Sequence, residues 1–176
     1  GTAPRLVIVK NLEDATNWQV LHLDKGVGNK LFLNTTAAVA SDTNMWHNTA
    51  PTSTVVSVGT SQTTNEQNIA YCFAEIEGFS KFGKYVGNGS ATAGPFVYTG
   101  FLPALVVVKN ITNSGDAWPV ADSARAPFNV ANATVFWGGA TTAETTGYSV
   151  DLLSNGFRPF SSFNRITARS GKYIWE

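Results

Sequence analysis

The chain has 176 residues, enough for one medium domain or two small ones, and its 12 basic residues balance 12 acidic ones at only 14% charge. Nucleic acids and anionic membranes are both held by clustered Lys and Arg, so this balance argues against either as a partner. The single cysteine, Cys72, excludes an internal disulfide and a cysteine-based zinc site, and no apolar run reaches the ~18 residues of a membrane span.

Taken in chain order, Leu6-Val-Ile-Val9 is a short aliphatic run between Pro4 and a turn-prone Asp/Asn segment. Four such residues are too few for a helix and suit a strand covered on both faces. Residues 18–23 alternate approximately and predict a second strand, paired antiparallel to the first. A glycine turn over 24–29 leads to a third strand at 30–34. Residues 35–54 lose the pattern, and the stretch reads as a long loop with at most one short strand. Unpatterned loops longer than about 12–15 residues are uncommon unless they bind something, which makes this loop a candidate functional surface. Residues 55–58 resume a strand, 59–67 form a polar turn, and 68–77 form the longest strand. In that strand Tyr71, Phe73, Glu75 and Glu77 share one face, and Ala70, Cys72, Ala74 and Ile76 share the other. The small face is expected to look into the core, with Cys72 as a buried small hydrophobe.

Residues 78–90 are punctuated by glycine, with aromatics between the turns expected to pack on the sheet. A strand at 95–99 then feeds Leu105-Val-Val-Val108, which restates the opening of the chain. The register holds through Pro4 and Pro103, Leu6 and Leu105, Lys10 and Lys109, Asn11 and Asn110. Each copy next reaches a Trp-x-Val, at Trp18 and Trp118. Strands follow at 134–137, 148–153, 157–160 and 172–175, with a Thr/Ala/Gly loop over 138–147. The last strand echoes residues 71–75, so Glu176 stands as the counterpart of Glu75. No segment keeps a helical period. Many short strands between Gly, Pro and Asn turns predict an all-β protein, a β-sandwich or jelly-roll of two pseudo-repeats. Residues 1–77 would be the first, 78–100 a connector and 101–176 the second.

Catalytic patterns are sparse. Glu75 and Glu77 could form the acid pair of a glycoside hydrolase, which needs carboxyls about 5–9 Å apart, but they read more simply as solvated strand-face residues beside Lys81 and Lys84. His22 and Asp24 share a strand face, yet two histidines in all give no metal set. There is no Gly-x-Ser-x-Gly elbow, and Gly26-Val-Gly28 does not open a helix, so no cofactor is expected. The Asn-x-Ser/Thr matches at Asn34, Asn88, Asn110 and Asn132 follow from composition. Aromatic rings remain. Exposed rings stack on sugars, whereas buried rings fill a core. Trp18 and Trp118 recur and read as core, while Trp46, beside His47 and Asn48 in the long loop, reads as an exposed ring. Trp46, His47 and Asn48 are the candidate ligand-binding residues.

The repeated Leu-Val-x-Val-Lys-Asn, the Trp-x-Val strand, residues 68–77 and above all the glycine-aromatic stretches at 78–90 and 94–104 resemble a repeated domain of tailed-bacteriophage structural proteins, many of them marine. The resemblance covers nearly the whole chain, although Trp118-Pro119 departs from the first copy. It implies a virion location, host-surface adhesion and no catalytic residues. Such fibres are usually trimeric, which makes a homotrimer the assembly to test. The expected role is a tail-fibre-type receptor-binding domain whose partners are a host-surface glycan or protein and other virion proteins. The rival readings are a capsid-decoration, head-fibre or tail-assembly protein, and a glycan depolymerase using Glu75 and Glu77. The chain begins at Gly1 without methionine or signal-peptide pattern, as a fragment or processed piece would.

Overall fold

The computed structural model describes residues 1–59, 66–137, 144–161 and 165–176. Most of the polar turn at 59–67 and of the loop at 138–147 therefore lies outside the described residues. The described chain is all-β, with thirteen strands and no helix. In chain order they are β1 (Pro4–Asn11), β2 (Gln19–His22), β3 (Asn29–Phe32), β4 (Ala40–Ser41), β5 (Asn68–Ala74), β6 (Gly83–Val86) and β7 (Val97–Tyr98). There follow β8 (Leu105–Asn110), β9 (Trp118–Asp122), β10 (Thr134–Trp137), β11 (Ser149–Leu153), β12 (Gly156–Phe160) and β13 (Lys172–Trp175). They make three antiparallel sheets, ordered β4-β3-β2-β1-β5, β10-β9-β8-β13-β6 and β11-β12-β7.

Side-chain alternation along β1 and β8 stacks these sheets into a sandwich. Leu6 and Ile8 of β1 pack with Val107, Val120 and Ile174 of the second sheet. Val7 and Val9, on the opposite face, pack with Leu21, Met45 and Trp46. On β8, Val106 and Val108 turn instead toward Val150, Leu152 and Phe157 of the third sheet. The second sheet is thus the middle layer. Fully burying one such aliphatic side chain stabilises by about 1.5–3 kcal/mol, and both central strands collect that gain on two faces.

The Lys-Asn pair after each run has a local physical role. The Asn11 side-chain oxygen accepts hydrogen bonds from the Glu13 and Asp14 amides at 2.8 and 2.9 Å. That of Asn110 accepts them from the Thr112 and Asn113 amides at 3.0 and 3.1 Å. Each is an Asx turn that starts the reversal into the next strand. Lys10 donates to the Asp14 carbonyl at 2.9 Å, and the buried Lys109 donates to that of Asp116.

Four expectations are corrected. Residues 55–58 form no strand, although Val56 still packs on the outer cluster. β1, not the strand starting at Asn68, is the longest. Residues 83–86, expected within a glycine-turn stretch, form a strand: β6 pairs with β13. The facing of β5 is also reversed. Ala70 and Cys72 pair with Val9 and Val7, so they lie on the outer face, while Tyr71 and Phe73 pair with Ile8 and Leu6 on the inner one. β5 is an edge strand whose outer face is left uncovered, so Cys72 is exposed rather than buried.

Candidate functional site

The ends of β1, β5 and β7 meet around an open groove of about 820 Å³. Beyond β5 the chain makes a tight reversal in which the Ile76 and Ser80 backbones bridge and the Ser80 hydroxyl donates to the Ala74 carbonyl at 2.8 Å. Gly78 sits there at φ +76°, a conformation that a side chain would strain. Glu75, Glu77 and Lys81, on and beside this reversal, line the groove. Across from it, the Thr99 and Gly100 amides both donate to the Asn155 carbonyl, at 3.0 and 3.1 Å, which fixes the end of β7 and with it Tyr98.

The polar groups of the groove are linked. Arg5 donates to Asp24 at 2.9 Å and its Nε lies 3.9 Å from a Glu75 carboxylate oxygen. Behind Asp24 the buried His22 rests with Nδ1 4.0 Å from an Asp24 carboxylate oxygen and Nε2 3.2 Å from the Trp175 carbonyl. Burial lowers the His22 pKa below its ordinary 6.5, against the opposing effects of that carbonyl and of Asp24. Of His22 and Asp24, which shared a strand face in the sequence, Asp24 braces Arg5, while His22 Nδ1 makes no hydrogen bond. Among the described residues no three His, Cys, Asp or Glu side chains converge as a metal site would require. The Lys81 ammonium sits 4.9 Å from the centre of the Tyr98 ring, and that tyrosine is 58% exposed. Carboxylates, a guanidinium, an ammonium and an open tyrosine ring around one concavity can accept and donate hydrogen bonds to hydroxyl groups while a ring packs on a sugar face.

The candidate residues from the long loop do not join this groove. Trp46 is fully buried, wedged on the outer face of the first sheet with Met45, Val7, Val9 and Leu21. The expected exposed ring is therefore a core ring. The cause lies in the loop itself: Asp42 accepts from the Asn44 and Met45 amides, and the Gly59 amide donates to the Met45 carbonyl at 2.7 Å, folding the loop back over β1 and β2. His47 and Asn48 stay exposed on its outer turn, both with left-handed backbones, at φ +48° and +47°. Trp118 is core as expected, while Trp18 is half-buried and stacks on Tyr71. Reading the sequence misses Arg5, Tyr98 and Thr99. The only local signal was the Glu75-Ile-Glu77-Gly78 strand end, and its partners are supplied by β1 and β7.

A family profile described as a domain of unknown function, DUF7483, matches residues 1–176. The chain belongs to the DUF7483 family. No curated protein and no solved structure matches this DUF7483 chain.

Proposed function

We propose that this DUF7483 chain is a receptor-binding domain of a tailed-phage virion that holds a host-surface glycan in the groove between β1, β5 and β7. The virion setting rests on the resemblance of the glycine-aromatic stretches. The recognition role rests on one observation, a concavity of about 820 Å³ in which an exposed Tyr98 ring stands among Arg5, Glu75, Glu77 and Lys81. Glu75 and Glu77 are both exposed, with Arg5 beside Glu75, an arrangement that favours holding hydroxyl groups over the bond cleavage of a depolymerase. Binding of the intact protein to a glycan array tests this. Wild-type protein is expected to bind a restricted set of glycans, and Tyr98→Ala, which removes a ring worth about 1–2 kcal/mol, to weaken that binding about tenfold. An array with no wild-type signal refutes the glycan reading.

A second reading, that the chain docks on other virion proteins as a decoration or assembly component, is favoured by the bare outer face of β5. An exposed edge strand is a ready template for pairing with another chain. Sedimentation equilibrium with and without virion proteins separates the two, and also reports whether the chain is a homotrimer. Under either reading residues 1–77 and 101–176 are taken as a duplicated unit. It is supported by the matching orders β3-β2-β1-β5 and β10-β9-β8-β13, and by the Asx turns at Asn11 and Asn110.

A further inference from the structure

β5 is the barest edge of the three sheets. The other edge strands are guarded in ways that keep an edge from pairing with another chain. β4 and β7 are only two residues long. β10 is bridged by Thr145, β6 carries Lys84 and β11 carries Asp151. β5 runs for seven residues, Asn68-Ile-Ala-Tyr-Cys-Phe-Ala74, without a charge, a proline or a glycine. Among the described residues no backbone hydrogen bond reaches it from any strand but β1.

The inner side of this edge is apolar and half open, with Tyr71 and Phe73 44% and 42% exposed. Phe73 helps wall an aromatic cavity of about 330 Å³ with Phe82, Phe101, Trp137 and Trp175. Tyr71 helps wall a second hollow, of about 400 Å³, with Trp18 and again Trp137. The outer side carries only the small, exposed Ala70 and Cys72 between the strand ends. A strand that fits here has large apolar side chains inward, small ones outward and no charge. β5 itself meets that description, because its pattern of large and small residues is symmetric about Tyr71. Laid antiparallel on a second copy, it sets Tyr71 against Tyr71, Ile69 against Phe73 and Ala70 against Cys72. Directly opposite residues share a face, so large meets large beside the two hollows and small meets small on the outside. The 12 basic residues balance 12 acidic ones, so net charge does not oppose the meeting of two copies.

We propose that β5 pairs antiparallel with β5 of a second copy, joining the two first sheets through a two-fold axis at Tyr71. The proposal builds on the docking reading in taking β5 as the contact strand, and it is independent of the glycan reading. Such a contact uses the same edge on both chains and closes at two. Sedimentation equilibrium of the full chain is expected to show a dimer dissociating in about the micromolar range, as a small interface does. Tyr71→Lys, which sets two ammonium groups opposite each other at the axis, is expected to weaken it at least about tenfold with unchanged far-ultraviolet circular dichroism. Ala70→Cys places a thiol opposite Cys72 of the second copy, and copper-phenanthroline oxidation is expected to trap that pair as a covalent dimer. Asn68→Cys, with as many thiols on the same face but set opposite Ala74, is the control and is expected to be trapped more slowly. The trapping comparison stands even if Tyr71→Lys fails to fold. A wild-type chain that stays monomeric up to about 100 μM, a trimer, an undiminished dimer in a folded Tyr71→Lys, or equal trapping of the two cysteine variants each overturn the proposal. A monomer that still binds virion proteins overturns the dimer and leaves the docking reading standing, whereas a dimer that binds none supports the dimer and ends that reading.

Discussion

Trp46 and Glu176 show how far a side chain's setting can depart from what its neighbours in the chain imply. Trp46 sits among Thr, Asn and His residues, yet it is one of the largest fully buried side chains. Trp46→Ala should lower stability by about 3–5 kcal/mol in denaturant unfolding, the usual cost of emptying a packed aromatic site. An exposed ring would cost within about 0.5 kcal/mol, so the two settings are readily told apart. Glu176 carries the opposite sign of prediction. Its folded pKa of about 8 lies above the ordinary 4.5, so the native state keeps a proton that the unfolded state has lost. Its contribution is therefore fully present below pH 4.5 and is lost as pH rises to about 8. Glu176→Gln should remove this fall, so the gap between variant and wild-type stability should widen across that window by roughly a few kcal/mol. Unfolding curves at pH 4.5, 6 and 8 measure it, and parallel stabilities would contradict the burial of the carboxyl.

The strands differ in how much of their behaviour is written locally. β1 and β8 are legible because an unbroken aliphatic run can only be a strand buried on both faces. β5 alternates cleanly, so its two faces can be listed from the sequence, but which face points inward depends on its partner. Pairing with β1 sets Tyr71 and Phe73 beside Ile8 and Leu6, and the Met45–Trp46 plug covers β1 and β2 without reaching β5. Cys72 follows as an exposed thiol. It should react stoichiometrically with a thiol reagent in the native state, without denaturant, and Cys72→Ser should cost little stability; slow labelling that awaits unfolding would show the outer face of β5 to be covered. β6 hides for another reason. The glycines around it read as turns, yet Gly83 permits close approach, since a Cβ there would come within 2.8 Å of the Trp175 indole.

At the scale of the whole molecule, the two halves of the chain share one core. The cluster between the first two sheets draws Leu6, Ile8, Val20 and Leu31 from one half and Val107, Trp118, Val120 and Ile174 from the other. Residues 78–100 add to that coupling, because β6 completes the edge of the second sheet against β13. Residues 1–77 or 101–176 expressed alone would each expose half of this interface. They are expected to be unfolded or aggregated, while the full chain unfolds in a single calorimetric transition. Two separate transitions, or a well-folded half, would show that the sheets are independent domains.

What the chain's order of residues determines alone is its local grammar: all-β architecture, the two central strands, and the turns begun by Asn11 and Asn110. These follow because periodicity, branching and Asx turns act between residues a few positions apart. The groove and the aromatic cavity were settled only by packing. Arg5, Glu75 and Tyr98 in one, and Phe73, Phe101 and Glu176 in the other, meet across long stretches of chain. Burial belongs to those meetings, not to residue type, and so a tryptophan in a polar loop became core.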